Sequence, residues 1–224
     1  MDKSTIKRSV LLRFAIAPLV LGLFMFAPAG SFDYWEAWVY CAVLFVPMSY
    51  VVLYLLKNDP GLLERRMRFK EKEGEQKAIV KVMNVVFLVA FLIPGLDRRF
   101  GWSDVPTAHV LAANAVVFLS YAFVFLVLRE NSYASRIIEV EKNQKVISTG
   151  PYAIVRHPMY LGMALMLLAT PAALGSYWAY VVFLPLPLFL IPRILNEEKV
   201  LLRDLPGYGE YCEKTRYRLI PRIW

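Results

Sequence analysis

The sequence predicts an all-α protein, a polytopic membrane helical bundle, on three observations. Hydrophobic residues make up 58% of the 224-residue chain and the mean hydropathy is +0.47, above the usage of an ordinary soluble domain. Apolar windows recur at about Val10–Pro28, Trp35–Leu56, Ile79–Leu96, Thr107–Leu128, Met159–Leu174 and Tyr177–Ile191, most of them near the roughly 20 residues with which a helix crosses a bilayer. The positive charge is partitioned between the connections. With both termini inside, segments 1–8, 57–81, 129–156 and 193–224 hold 23 of the 26 Lys and Arg residues, the distribution left when cations stay on the cytoplasmic side during insertion. We expect about six spans, the last two forming a tight hairpin, in a multi-pass protein whose termini and polar segments face the cytosol.

The same numbers exclude several function classes. A net charge of +8 follows from topology and from attraction to anionic headgroups, so it gives no reason to expect nucleic acid as a partner. Cys41 falls inside a span and Cys212 in the inner tail, which argues against a disulfide framework. With only His109 and His157 to supply imidazole, no metal site is expected. Lys3 to Arg8, an apolar stretch and Ala27-Pro28-Ala29 imitate a cleaved leader, but the stretch is longer than the usual apolar core of one and reads as a span. A small transporter would place ionisable residues within several spans and matching helix breaks in two halves. Here only Arg13 lies well within a span and the proline breaks gather at one end. A noncatalytic membrane scaffold stays open at this point and predicts no cofactor binding.

Taken in order, residues 1–56 read as a hairpin whose outer turn, "GSFDYW", supplies aromatic interface anchors. Pro60-Gly61 ends the second helix, and "LLERRMRF" then starts either an amphipathic surface segment or a solvated positive-inside loop within 57–81. Asn84 and Asn114, in spans three and four, are expected to make interhelical hydrogen bonds. Together these elements form an N-terminal four-span scaffold, residues 1–128.

From Arg129 onward the pattern changes, and residues 129–224 read as the functional core. "RIIEVEKNQKVIS" alternates enough to be extended rather than helical. Gly150-Pro151 turns the chain, Pro158 suits the first turn of the next helix, and His157 falls at that helix's amino end. Free N–H groups and a partial positive charge collect there, which suits an anionic ligand group. Pro185, Pro187 and Pro192 interrupt the last span, and irregular backbone at that depth is tolerated where protein or a cavity covers it. Arg193 and Glu197 then lie four apart on one helical face, with Glu198 beside them. An ordinary ion pair and a ligand-binding pair are both open on that spacing.

Taken together, "GPYAIVRHPMYLG", a two-pass hairpin, and "RILNEEKVLLRDLPGYGEY" ending in "RYRLIP" resemble the isoprenylcysteine carboxyl methyltransferase family, whose wider relatives include phospholipid N-methyltransferases. The resemblance covers about Gln144 to Pro221 well and the first four spans in general architecture. It implies that Arg156, His157, Pro158, Tyr160, Glu197 and Glu198 bind S-adenosylmethionine and that Arg193 faces the substrate carboxylate. Gln144, Lys145, Val146, Ile147 and Tyr152 match further positions that hold the cofactor, Lys145 and Ile147 approximately. Arg193 and Glu197 are thus the candidate catalytic pair, and a lipophilic methyl acceptor entering from the bilayer is the implied partner.

The chemistry is compatible with that resemblance. The chain has no Gly-x-Gly-x-x-Gly stretch after a strand, so no soluble nucleotide-binding domain is available. A carboxylate acceptor is already ionised, needs no general base, and depends on exclusion of water and on alignment. Arg193 can hold it through two charge-assisted hydrogen bonds, and Glu197 can fix the guanidinium. A thiol or lipid amine would instead want a proton acceptor, for which Glu197, Glu198 or a tyrosine could serve. Arg193 favours the carboxylate.

Overall fold

The computed structural model of the chain describes residues 3–68 and 85–224, and the described residues are helical with no strand among them. Among the described residues, four stretches are long and apolar enough to cross a bilayer: Leu12–Ala29, Trp35–Asn58, Thr107–Glu130 and Tyr180–Asp204. The chain is a multi-pass helical membrane protein.

Helix α1 (Lys3–Ala29) ends at Gly30, whose φ of 67° lets its N–H close back onto the Phe26 carbonyl at 3.0 Å. Helix α2 (Trp35–Asn58) follows after a short outer turn. In that turn Phe32 is exposed, as an interface anchor should be, and Trp35 is half-buried, whereas Tyr34 is buried and donates from its hydroxyl to the Leu174 carbonyl at 2.6 Å. Tyr34 is therefore a tie between distant elements, because its phenol finds an acceptor inside the protein.

Pro60 ends α2 and also starts α3 (Pro60–Arg66), whose amino end is capped by Asp59 Oδ1 accepting from Leu62 N at 2.8 Å. The amphipathic alternative for "LLERRMRF" holds as far as α3 reaches: Leu62 and Leu63 are buried while the arginines project into other contacts. The remainder of the 57–81 loop from residue 69, and Asn84, lie outside the described residues.

The third apolar window is described from residue 85. Residues 85–90 are helical, the helix breaks at Phe91, and α4 (Leu92–Phe100) continues it. A Cβ on Gly95 would come within 2.4 Å of the Met25 carbonyl, so α4 packs against α1 more closely than any side chain allows. Helix α5 (Thr107–Glu130) is the central span. Its Asn114 donates to the Ala173 carbonyl at 3.0 Å, the interhelical bond expected of it.

Helix α6 (Pro158–Ala173) has only 16 residues, a length of about 24 Å that falls short of the ~30 Å hydrocarbon core. It packs along α5 at Gly162, where a Cβ would meet Val124 Cγ2 at 2.5 Å. The return pass is not one regular helix. It runs as α7 (Tyr180–Phe183), a 3₁₀ turn (Leu186–Phe189) and α8 (Leu190–Asp204), because Pro185 and Pro187 each remove a backbone donor. A short α9 (Tyr208–Lys214) and an irregular tail complete the chain.

At the α6–α7 turn the hairpin is locked by Asp97, which is 1% exposed. Its carboxylate accepts from Ser103 N and Ser103 Oγ, both at 2.7 Å, and from Ser176 Oγ. That ties the α4–α5 loop to the α6–α7 turn.

Candidate active site

At the opposite end of the bundle from Asp97, residues 131–149 carry no regular helix, as "RIIEVEKNQKVIS" led us to expect. The segment is held by α3. Arg65 Nε donates to the Ser132 carbonyl at 2.9 Å, Arg66 Nη1 reaches the Ser135 carbonyl at 3.3 Å, and Arg68 pairs with both Glu139 and Glu141. Cations that read as topogenic charge in the sequence thus clamp an otherwise irregular backbone. Gly150, at φ 56°, closes the segment where a Cβ would crowd the Glu130 carboxylate at 3.1–3.3 Å.

The C-terminal tail anchors the next turn. Arg156 N and His157 N donate to the carbonyls of Tyr217 and Arg218, each at 2.9 Å. Arg156 Nη1 also donates to the carbonyls of Thr215 and Arg216 at 2.9 and 2.8 Å. The "RYRLIP" stretch is therefore the backbone template for "RHP", which no local pattern in the sequence reveals.

Eleven residues singled out from the sequence, Gln144, Lys145, Val146, Ile147, Tyr152, Arg156, His157, Pro158, Tyr160, Arg193 and Glu197, line one cavity. Its empty space is about 840 Å³ counting the open mouth. Tyr152, Arg156, His157 and Tyr160 are buried in its floor, while Lys145 is exposed.

Glu198 is not in that lining. It is buried behind the wall, where Oε1 accepts from Arg156 Nε at 2.7 Å and stands 3.3 Å from His157 Nε2, and Oε2 accepts from Arg218 Nε at 2.7 Å. Glu198 thereby joins α8, the turn before α6 and the tail. His157 is the N-cap residue of α6 but makes no side-chain cap bond, its ring being turned to Glu198 instead.

Glu197 points the other way, into the cavity. Tyr160 Oη donates to Glu197 Oε2 at 2.6 Å and accepts from Arg193 Nε at 3.0 Å, while Arg193 Nη2 donates to the Arg136 carbonyl at 2.6 Å. The helical spacing of Arg193 and Glu197 thus becomes a three-residue relay through a buried phenol on the facing helix.

Several lining residues were not singled out by the sequence. Asn131 donates to Tyr152 Oη at 3.0 Å, and Tyr211 Oη donates to the Tyr152 carbonyl at 2.7 Å, fixing that tyrosine from two sides. Burial pushes the Tyr152 phenol up to about 12, with the Asn131 hydrogen bond opposing, so it stays a neutral hydroxyl. Tyr208 also lines the cavity; it is 4% exposed and, among the described residues, its hydroxyl has no nitrogen or oxygen partner, only the Cys212 thiol interacting with it. Burial pushes its phenol well up, and nearby Glu198 adds to the shift. A buried orphan hydroxyl beside a cavity is the condition that a polar ligand would relieve. The signal was present in "GYGEY", but only as an aromatic residue among others.

One end of the cavity carries cations and carboxylates and the remaining wall is apolar, with Val146, Ile147, Val200 and Leu205 in it. An amphipathic ligand bearing both charge signs fits such a lining, so the donor set suits S-adenosylmethionine.

Comparison with known proteins places this region. Residues 108–206 match the phospholipid methyltransferase family. Over 90 residues, 39% of the chain, the sequence is 30% identical to Delta(14)-sterol reductase TM7SF2 of Mus musculus. Over 132 residues, 58% of the chain, it is 25% identical to cobalt-zinc-cadmium resistance protein CzcN of Cupriavidus metallidurans. These similarities cover 22% of the reductase and 57% of the resistance protein, less than two thirds of either. The family match runs from α5 through the inner segment and the hairpin to the end of α8, the elements that build the cavity. Residues 108–206 are thus similar to the phospholipid methyltransferase family, within a chain that is a multi-pass helical membrane protein.

Proposed function

We propose that the protein uses S-adenosylmethionine to methylate a lipophilic acceptor drawn from the bilayer, most directly the carboxylate of an isoprenylcysteine-like molecule. The observation that carries this reading is the Arg193–Tyr160–Glu197 relay at the charged end of the cavity. The bound donor supplies an electrophilic methyl on a sulfonium. A carboxylate acceptor would already be ionised, so methyl transfer to it would ask no acid or base of this chain.

The chain's own residues supply position rather than acid–base chemistry. Arg193, its Nε held by Tyr160 and its Nη2 by the Arg136 carbonyl, presents a planar guanidinium of fixed direction beside the cavity, which would orient an oxyanion. Glu197 offers a carboxylate to a cationic group, and Tyr208 offers its orphan hydroxyl. Glu198 is a positioning residue, acting through Arg156 and His157. The donor enters from the cytosol in this reading, which puts both termini and residues 129–156 on the cytosolic side.

The family description favours one second reading, methylation of a phospholipid amine, in which Glu197 would accept the amine's proton. Methyl transfer from radiolabelled S-adenosylmethionine to a prenylcysteine, a long-chain thiol and a phosphatidylethanolamine, with donor affinity measured in parallel, tests both. Product from the carboxylate supports the first reading. Product from the amine alone overturns its acceptor and keeps the methyltransferase. A folded protein that binds no donor sinks both.

A further inference from the structure

The tail Thr215–Trp224 holds the turn before α6 and then runs on along the hairpin. The carbonyls of Tyr217 and Arg218 accept from Arg156 N and His157 N, and Arg218 Nε donates to Glu198 Oε2 at 2.7 Å. Beyond that point Leu219 is buried with Tyr160, Ala164, Leu190 and Ile194, and Trp224 packs against the same cluster. Ala164 lies six residues past Pro158 in α6, about 9 Å along the helix. Leu190 and Ile194 belong to a stretch apolar enough to cross a bilayer. The tail therefore reaches membrane level beside the hairpin.

Its surface, backbone and charge all suit the boundary between headgroups and acyl chains. While Leu219 and Trp224 pack on the hairpin, Ile220 and Ile223 are 41% and 77% exposed. The Trp224 carbonyl accepts from Leu219 N at 2.9 Å and from Ile220 N at 3.1 Å, and the Ile220 carbonyl accepts from Ile223 N and Trp224 N, both at 3.1 Å. Arg222, at φ 66°, closes this turn, and Pro221 carries no N–H. Backbone groups paired within the segment are what a water-poor environment demands. Thr215–Trp224 contains Arg216, Arg218 and Arg222 and no Asp or Glu. Arg218 is taken up by Glu198 and lies over the Trp224 ring at 5.5 Å, whereas Arg216 and Arg222 are exposed. Exposed isoleucines flanked by arginines, with no acid between them, are complementary to an apolar layer beneath an anionic one.

We infer that Leu219–Trp224, with Arg216 and Arg222, is a docking surface for an anionic phospholipid bilayer. Ile220 and Ile223 enter below the headgroups and the two arginines meet lipid phosphate. Because the same tail holds Arg156 and His157 by their backbones, docking steadies the cavity floor to which those residues belong. The consequence for donor binding rests on the S-adenosylmethionine reading above, whereas the docking itself does not.

The test places the full chain in nanodiscs of phosphatidylcholine, alone or mixed with phosphatidylglycerol, and follows hydrogen–deuterium exchange of the peptide covering 216–224. In the wild type this peptide should exchange about tenfold more slowly in the anionic discs, the scale of two arginines drawn to a negative surface. Arg216→Gln with Arg222→Gln should lose that difference. Ile220→Ser with Ile223→Ser should exchange fast in both discs, with unchanged exchange in α5 as the check on folding. Arg99→Gln, exposed at the other end of the bundle, should behave as the wild type. A photoreactive benzoylphenylalanine at position 223 should cross-link to phospholipid.

Wild-type exchange that ignores phosphatidylglycerol overturns the docking surface. An adduct to a second copy of the chain in place of lipid, or no adduct, does the same. S-adenosylmethionine affinity is measured on the same discs and should rise with protection of the tail. Affinity that stays constant while tail protection changes overturns the link to the cavity. A tail that docks on a chain binding no S-adenosylmethionine supports the docking surface and overturns the donor reading, so the two failures are distinguishable.

Discussion

Tyr160 and Glu197, which lie on facing helices, are joined by a 2.6 Å hydrogen bond from phenol to carboxylate, and the same phenol accepts from Arg193 at 3.0 Å. Replacing Arg193 by lysine keeps the charge but loses the planar fork and the bond from Nε. Turnover should fall by about 10- to 100-fold, as for a misplaced reacting group, with a smaller change in donor affinity, and Arg193→Ala should be worse. Tyr160→Phe should cost turnover in the same direction, because both partners lose their hold. Initial rates and donor affinity for each variant separate the effects. An Arg193→Lys enzyme with wild-type rates on every acceptor would remove the orienting role.

Glu198 predicts a different signature. Glu198→Ala leaves Arg156, which is buried, and Arg218 without their carboxylate. Breaking a buried pair in this way costs about 3–5 kcal/mol. The apparent Tm in detergent should drop sharply, and Glu198→Gln should recover part of the loss by keeping an acceptor. Glu198→Ala protein with unaltered thermal unfolding but no donor binding would instead make Glu198 a direct ligand contact.

Gly162 tests how closely the site depends on helix packing. A methyl group there meets Val124 Cγ2 at 2.5 Å and the Ser120 carbonyl at 3.3 Å. Overpacking of that kind costs about 1–3 kcal/mol. Gly162→Ala should lower stability and also activity, since α6 carries Tyr160 two residues away. Adding Val124→Ala should restore part of both. A double variant no better than the single one would mean that the Ser120 backbone sets the limit.

Tyr208→Phe isolates the orphan hydroxyl. Because that group has no nitrogen or oxygen partner among the described residues, its removal should leave stability unchanged or slightly raised. If the hydroxyl meets the donor, S-adenosylmethionine affinity should fall about three- to tenfold, the range of one neutral hydrogen bond. Isothermal titration and thermal unfolding on the same preparation decide it. Equal affinity in the phenylalanine variant would leave the hydroxyl without a role in donor binding.

Orientation is tested independently of catalysis. Single cysteines introduced at exposed Ser148 and Lys214 should be labelled from the cytosolic side only, and one at exposed Arg99 from the opposite side only. A reversed pattern would separate the cavity from the soluble donor pool.

Much of the site was legible because its residues occupy short stretches with local meaning. Pro158 at a helix start, the proline-broken return pass and the i, i+4 pair Arg193–Glu197 each follow from backbone or side-chain geometry that acts within a turn or two. Tyr34 and the arginines of α3 were harder. An aromatic in an outer turn and cations in an inner loop satisfy general rules about membrane interfaces and topology. Their particular partners, the Leu174 carbonyl and the 132–141 backbone, are far away in the chain.

Glu197 and Glu198 mark the boundary between the two kinds of information. By itself the sequence determined that apolar segments must cross a membrane, that cations gather between them, and that two adjacent carboxylates follow Arg193 on a helix, because hydrophobicity, charge and helical period are properties of neighbouring residues. Only the tertiary structure decided which carboxylate faces the cavity and which is locked behind it. Successive side chains on a helix differ by about 100° in direction. One of the two therefore meets Tyr160 across the hairpin while the other meets Arg156, His157 and Arg218, and that choice depends on where the distant tail docks.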